Sequence, residues 1–375
     1  MSCCAGTPCQ LVTAAPWCSG AKTYEQCFRL HTEFKPCIWR GQYCTKGNKS
    51  LCPPPTVTLN TGAQMPMLAF GTGMLPVNSV GRGPNRIHDR SALPLVNSSL
   101  TLGYTHIDTS EMYPGFDGLG AVLRPYRRRL FITSKVDPTV DPAKQTCRND
   151  GTGCDIAMLH AANETRRRLG TVPDLLLLHR PPPRRGLDTS AQCKRLQASW
   201  HGLELAQTRG LAFAIGLSNV CGPLLRCLAK SARIKPAVMQ YMLHVGMGPD
   251  PLGYRSFGTR EWRSVFMAYS VLGGAEQDFS RITASPAVAR VAAAHGGHAA
   301  GVAISWVAQQ RLPMVLISAK PAHQRDNLRV YANPPWGRLT TSEMDALSAE
   351  REPAGRLSHW GDCDDALIRE PASEL

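Results

Sequence analysis

Asp174-Leu175-Leu176-Leu177-Leu178-His179 is the stretch that decides the architecture. Four leucines in succession leave no polar face, so the segment reads as a strand buried on both sides, the kind found in parallel sheets covered by helices. A helical period precedes it. Over residues 155–170, Ile156, Leu159, Ala162 and Leu169 share one face and Gly170 supplies a stop. Residues 196–207 read as the next helix and 213–217 as the next strand. The alternation runs outward in both directions. Upstream lie strands at 57–59 and 65–70 about the turn Asn60-Thr61-Gly62, then at 104–108 and 130–134. Downstream come helix 223–232, strands 237–243 and 266–270, and a helix opened by Ser285-Pro286 and stopped by Gly296-Gly297. Helix 299–309, strand 314–317 and helix 322–330 complete the series.

Repeated βα units fit either a closed eight-stranded barrel or an open doubly wound sheet. No Gly-x-Gly-x-x-Gly follows the first strand, and Gly115, Gly118 and Gly120 have a different spacing. The expectation is therefore an α/β (β/α)8 TIM barrel over residues 56–350, with a tail at 351–375.

The head differs in composition. Eight of the 14 cysteines precede residue 53: Cys3, Cys4, Cys9, Cys18, Cys27, Cys37, Cys44 and Cys52. Cys52-Pro53-Pro54-Pro55 reads as a stiff linker, which sets a boundary near residue 55. A segment this small needs staples. No Cys-x2-Cys pair occurs among residues 18–52, so disulfides are favoured over zinc or over an unstructured leader. No metal site is expected.

Apolar residues at 43% and charged residues at 19% exclude wholesale disorder. No apolar run approaches the ~18 residues of a membrane helix. Residues 1–17 lack the basic and apolar blocks of a signal peptide. The charge is +14, carried in runs such as Arg127-Arg128-Arg129 and Arg166-Arg167-Arg168. Few aromatics are interleaved with these, so a solvated basic surface is expected and a nucleic-acid partner is not.

Barrel active sites lie at the carboxyl ends of the strands. Four ends carry reactive groups: His106-Ile107-Asp108 with Tyr113 shortly after, Ser134-Lys135, His179, and Ser218-Asn219. An Asp, a Tyr, a Lys and a His converging on one mouth suit proton transfer to or from a carbonyl oxygen. On this reading an ammonium at Lys135 lowers the phenol pKa of Tyr113, and Asp108 holds the lysine.

In these motifs the chain resembles the aldo-keto reductases, over about residues 57–347. The resemblance rests on Leu59-Asn60-Thr61-Gly62-Ala63-Gln64-Met65-Pro66, Phe70-Gly71-Thr72-Gly73 and Gly103-Tyr104-Thr105-His106-Ile107-Asp108-Thr109 with Tyr113. It continues through the Lys135 strand, residues 174–181, Gly216-Leu217-Ser218-Asn219, Pro236-Ala237-Val238 with Gln240, and Ala268-Tyr269-Ser270. It implies a barrel that binds NADP(H), with NAD(H) as an alternative, and a tetrad of Asp108, Tyr113, Lys135 and His179, with Tyr113 as proton donor. It implies Ser218, Asn219 and Gln240 on the nicotinamide carboxamide, Tyr269 stacked on the ring, and Ser270 and Leu272 about the pyrophosphate. Ser318, His323, Asp326 and Asn327 fall at the adenosine end.

Two departures bear on the cofactor. Ile317 stands where the family often has a lysine facing the 2′-phosphate, and His323 where an arginine is common. A smaller margin of NADPH over NADH is expected. Residues 243–260 and the tail from 351 match no family pattern, so the small-molecule carbonyl substrate is not specified. The resemblance implies a cytoplasmic monomer, while the Cys-rich head points to a lumenal or secreted setting. A second functional reading is a cofactor-binding regulatory or scaffold protein, with the head as an interaction module.

Overall fold

The computed structural model describes residues 55–73, 75, 90–137, 147–182, 188–273, 282–332, 334 and 337–350. The Cys-rich head and the tail from 351 lie outside the described residues. Two short strands, β1 (Thr56–Thr58) and β2 (Gln64–Pro66), pair as an antiparallel hairpin. Eight parallel strands follow: β3 (Leu68–Gly71), β4 (His106–Asp108), β5 (Phe131–Val136), β6 (Leu175–Leu178), β7 (Ala214–Ser218), β8 (Val238–Met242), β9 (Val265–Tyr269) and β10 (Met314–Leu316). Each pairs with the next, and β10 returns to β3, so the barrel is closed.

Around it lie α1 (Leu93–Leu102), α2 (Phe116–Leu123), α3 (Cys154–Leu169), α4 (Thr189–Thr208), α5 (Gly222–Ala229), α6 (Tyr254–Trp262), α7 (Pro286–Ala294), α8 (Ala299–Gln309), α9 (Pro321–Ala332) and α10 (Thr341–Ala349). The fold is the expected (β/α)8 barrel. The expected strand at 65–70 is in fact two. Met65 and Pro66 belong to the hairpin, Met67 breaks the run, and the barrel strand starts at Leu68. Asn60 ties that hairpin down by donating to the carbonyls of Pro236 and Trp262, at the amino ends of β8 and β9. The hairpin thereby closes the barrel floor.

The strand period of two explains the rest. Leu175 and Leu177 join Phe131, Ala214, Val238, Met267 and Val315 in the inner core, while Leu176 and Leu178 join the shell beneath the helices. Room inside is short. A Cβ at Gly216 would sit 2.4 Å from the Val238 carbonyl oxygen, so only glycine fits. The inward residue that ends each strand therefore emerges at the carboxyl mouth.

The helix starts follow their caps. Ser285 accepts from the Val288 amide, and Thr340 with Glu343 forms a reciprocal capping box at α10. Cysteines of the shell are paired: Cys147 with Cys154 at the start of α3, and Cys193 of α4 with Cys227 of α5. Cysteine clustering in the head gave no hint of these: the first closes a seven-residue step into α3, and the second forms only where α4 packs on α5.

The Cys193–Cys227 bridge spans 34 residues. By chain entropy it restricts the unfolded ensemble by about 3–4 kcal/mol. Replacing both cysteines with alanine should lower the urea unfolding free energy by about that much. An unchanged midpoint and slope would show that the bridge carries no stability.

Candidate active site

His106 and Asp108 both point into the barrel, one strand step apart. His106 is fully buried between the floor and the site, its Nδ1 2.8 Å from the Pro66 carbonyl and its Nε2 2.8 Å from Thr133 Oγ1. Burial lowers its pKa to about 4, so it is a neutral strut joining the hairpin to β5. Asp108 lies higher and pairs with Lys135, the inward residue of β5. Both side chains are buried. The ammonium also donates to the Thr109 carbonyl at 3.3 Å, and the second Asp108 oxygen accepts from Gln240 Nε2 at 2.8 Å.

Tyr113 comes from the turn after β4. Its hydroxyl is 3.2 Å from His179 Nε2, and the two rings meet edge to face with centroids 5.5 Å apart. Lys135 Nζ lies 5.1 Å from the centre of the phenol ring. Gly73 makes the approach possible, since a Cβ there would come within 2.9 Å of Tyr113 Cζ. The other imidazole nitrogen, His179 Nδ1, is 3.2 Å from Ser110 Oγ. With the ring proton on Nδ1 and donated to Ser110, Nε2 accepts the Tyr113 hydroxyl.

Electrostatics correct one expectation. The phenol of Tyr113 is held above its ordinary 10 by burial first and by the Asp108 carboxylate second. The net shift is upward, because burial outweighs the nearby ammonium of Lys135. Lys135 itself is lowered by burial, against the opposing pull of Asp108. His179 is held well below the ordinary imidazole value by burial, then by the cations of Lys135 and Arg180. Tyrosine and histidine are therefore both neutral around a buried ion pair.

A second layer joins this group. Ser218 donates to the Gln240 carbonyl at 2.8 Å. Asn219 donates through Nδ2 to the His179 carbonyl and to Ser218 Oγ, both at 2.9 Å. Tyr269 donates to Asn219 Oδ1 at 2.6 Å. Asn219 sits at φ 60°, a left-handed conformation asparagine tolerates better than most residues. Asp108, Tyr113, Lys135, His179, Ser218, Asn219, Gln240 and Tyr269 thus form one connected cluster.

Ser270, at φ 52°, and Leu272 occupy the turn after β9. Ser318 follows β10, and His323, Asp326 and Asn327 lie at i, i+3 and i+4 on α9. They form an outer rim on the same mouth, without a described contact to the tetrad.

The donor set fits a nicotinamide cofactor. Hydroxyl and amide groups of Ser218, Asn219 and Gln240 offer both donors and acceptors to a carboxamide, and Tyr269 presents a half-buried aromatic ring beside them. At the outer rim, Ile317 lies over Gly71, where a Cβ would meet its Cγ1 at 2.8 Å. A cation is nonetheless present. Lys320 is exposed just before α9, and its amide donates to Ser318 Oγ at 3.2 Å. Sequence reasoning missed Lys320, Thr109, Ser110 and the role of Gly73. The triplet Asp108-Thr109-Ser110 and the doublet of glycines around Thr72 were the available signals. Among the described residues no group of three metal-ligating side chains occurs, and no helix is long and apolar enough to cross a membrane.

Comparison with known proteins agrees with this fold. The aldo/keto reductase family model matches residues 67–349. The NADPH-dependent codeinone reductase 1-2 of Papaver somniferum is 28% identical over 315 residues, covering 78% of this chain and 88% of that one. An aldo-keto reductase of Mycolicibacterium smegmatis is 29% identical over 298 residues, covering 78% and 90%. Among solved structures, an aldo-keto reductase enzyme from a Medee basin deep-sea metagenome library superposes with a TM-score of 0.65 at 21% identity, covering 82% of this chain and 99% of that one. The Bombyx mori aldo-keto reductase in complex with NADP gives 0.61 at 21% identity, covering 79% and 92%. With the family model spanning most of the barrel, the chain belongs to the aldo/keto reductase family of oxidoreductases.

Proposed function

We propose that this protein reduces an aldehyde or ketone to an alcohol with NADP(H), NAD(H) being the weaker alternative, and that Tyr113 gives the proton. The observation that carries this reading is the neutral phenol of Tyr113 held at the mouth against His179 and the Lys135–Asp108 pair. Related proteins described as NADPH-dependent or solved with NADP support the cofactor. When bound, the cofactor supplies a hydride to the carbonyl carbon.

Every other part of the step belongs to the chain. Ser218, Asn219 and Gln240 would hold the carboxamide, with Tyr269, bonded to Asn219, beside the ring. Ser270 and Leu272 would bind the pyrophosphate, and Ser318, His323, Asp326 and Asn327 the adenosine end. The carbonyl oxygen takes a hydrogen bond from Tyr113, whose proton crosses as negative charge develops. Neutral His179 orients that oxygen. The Lys135 ammonium stabilises the phenolate left behind, and Asp108 fixes the ammonium over the ring. The enzyme acts as a monomer on a small-molecule carbonyl. Paired cysteines in the shell favour an oxidising compartment over the cytoplasm.

Tyr113→Phe keeps the ring and removes the donor. Single-turnover reduction of an aldehyde by bound NADPH should slow by about 10² or more, with NADPH affinity retained. An unmutated rate would place the proton source elsewhere. His179→Gln should raise KM as well as slow the step.

The pH dependence has a definite sign. Burial raises Tyr113 and lowers Lys135, so on the alkaline side the lysine loses its proton before the phenol does. Loss of that charge removes the support for the phenolate, and the single-turnover rate should fall as pH rises. Lys135→Met should be about 10²-fold slower and lack this limb. A limb that survived in Lys135→Met would assign the titration to another group.

Lys320 replaces, from a new position, the charge that Ile317 does not provide. Lys320→Ala should weaken NADPH roughly ten- to hundred-fold, the range of a charge-assisted contact, and leave NADH unchanged. Equal weakening of both cofactors would show that Lys320 does not face the 2′-phosphate.

A further inference from the structure

The arginine runs have no part in the chemistry above, and the fold gathers two of them at the opposite end of the barrel. Arg124–Arg129 forms a 3-10 turn leading into β5. Arg166, Arg167 and Arg168 end α3, just before β6. Between them and the turn before β7 lies a recess of about 420 Å³, lined by Arg127, Arg166, Arg167, Gly170, Thr171, Val172 and Phe213. All of these precede the amino ends of strands, so the recess faces away from the mouth that holds Tyr113.

Its floor is preorganised. Arg127 donates to Thr171 Oγ1 at 2.9 Å, to the carbonyls of Leu130 and Val172 at 2.8 and 3.0 Å, and to Asp174 at 3.2 Å. That guanidinium is fixed and already neutralised by Asp174. Arg167 is paired with Glu164 on its own helix, and Arg168 with Asp117. Arg166 and Arg128 have no ion-pair partner among the described residues, and Arg209 stands four residues before Phe213. Cations at the end of α3 offset its carbonyl dipole, but the recess and its flanks hold more guanidinium groups than that end requires. Val172 and Phe213 add an apolar wall beside them.

We propose that this recess is a second binding site, which takes a phosphate monoester carrying a short apolar group, either the headgroup of an anionic lipid or a soluble phosphate ester. Arg166 and Arg167 supply bidentate donors to the phosphate, Thr171 borders it, and Phe213 and Val172 accept the apolar part. Binding there leaves the catalytic mouth open to solvent.

Calorimetry on the full chain with octyl phosphate and with inorganic phosphate tests the site, together with sedimentation on phosphatidylcholine vesicles with and without phosphatidic acid. Saturable binding is expected, tighter for octyl phosphate than for inorganic phosphate and weaker with added salt. The double substitution Arg166→Gln/Arg167→Gln should weaken it about ten-fold or more, while aldehyde reduction stays unchanged. Arg290→Gln, an exposed arginine on α7, removes charge elsewhere and should leave binding intact. Capture by phosphatidic acid vesicles, lost in the double variant, assigns the lipid source; binding of octyl phosphate alone assigns the soluble one. The proposal fails if no probe binds saturably, or if Arg290→Gln weakens binding as much as the double variant. It also fails if a short DNA duplex is the one phosphate ligand that binds.

Discussion

The buried pair of Lys135 and Asp108 is the constraint on which the site depends. Removing two charges from water costs several kcal/mol per ion unless their remaining hydrogen-bonding capacity is met. Here each ion has a further partner. Asp108 takes a second bond from Gln240, and Lys135 gives one to the Thr109 carbonyl. Gln240 then holds Ser218 through its carbonyl, Ser218 meets Asn219, and Asn219 meets both His179 and Tyr269. The tetrad and the group of Ser218, Asn219, Gln240 and Tyr269 are consequently one network. Breaking the pair from either side leaves an unpaired charge in the barrel, at a cost of about 3–5 kcal/mol. Substitutions at Asp108 or Lys135 therefore bear on stability first, whereas loss of the Tyr113 hydroxyl breaks a single hydrogen bond to His179 and leaves both ions paired.

Much of this was legible because a strand repeats every two residues. Leu175 and Leu177 point inward, so His179 does too; Phe131 and Thr133 set the direction of Lys135, and His106 that of Asp108. The same rule left His106 ambiguous, since it points inward as Asp108 does. Only depth in the barrel separates a neutral strut near the floor from a reactive group at the mouth. Contacts made by turns were not legible. Ser110 and Thr109 act through one hydroxyl and one carbonyl, and their partners, His179 and Lys135, lie far along the chain. The upward direction of the Tyr113 shift was not legible for a similar reason. Residue types alone suggested a lysine beside a phenol, but the ammonium lies over the ring face, bound to Asp108, and burial outweighs it. Lys320 was not legible as a rim residue, because only the turn into α9 brings it beside Ser318.

The two ends of the barrel divide the work. Hydrogen bonds from Asn60 and His106 to backbone carbonyls seal the floor and fix the strand ends above it. The mouth combines neutral donors with the Lys135–Asp108 pair and, beside His179, the Arg180–Asp137 pair. Two arginine runs lie at the other end, by the turns that lead into β5 and β6.

The central claim is that this arrangement transfers a hydride and a proton, rather than merely holding a cofactor. Its most direct test is a single turnover with NADPH deuterated at the transferring position, mixed with excess aldehyde, and the product analysed by mass spectrometry. One deuterium at the carbinol carbon of the alcohol is expected for each cofactor oxidised. Quenching of NADPH fluorescence on binding, with no labelled alcohol from any aldehyde or ketone in a broad panel, would contradict it and identify a cofactor-binding protein without reductase chemistry.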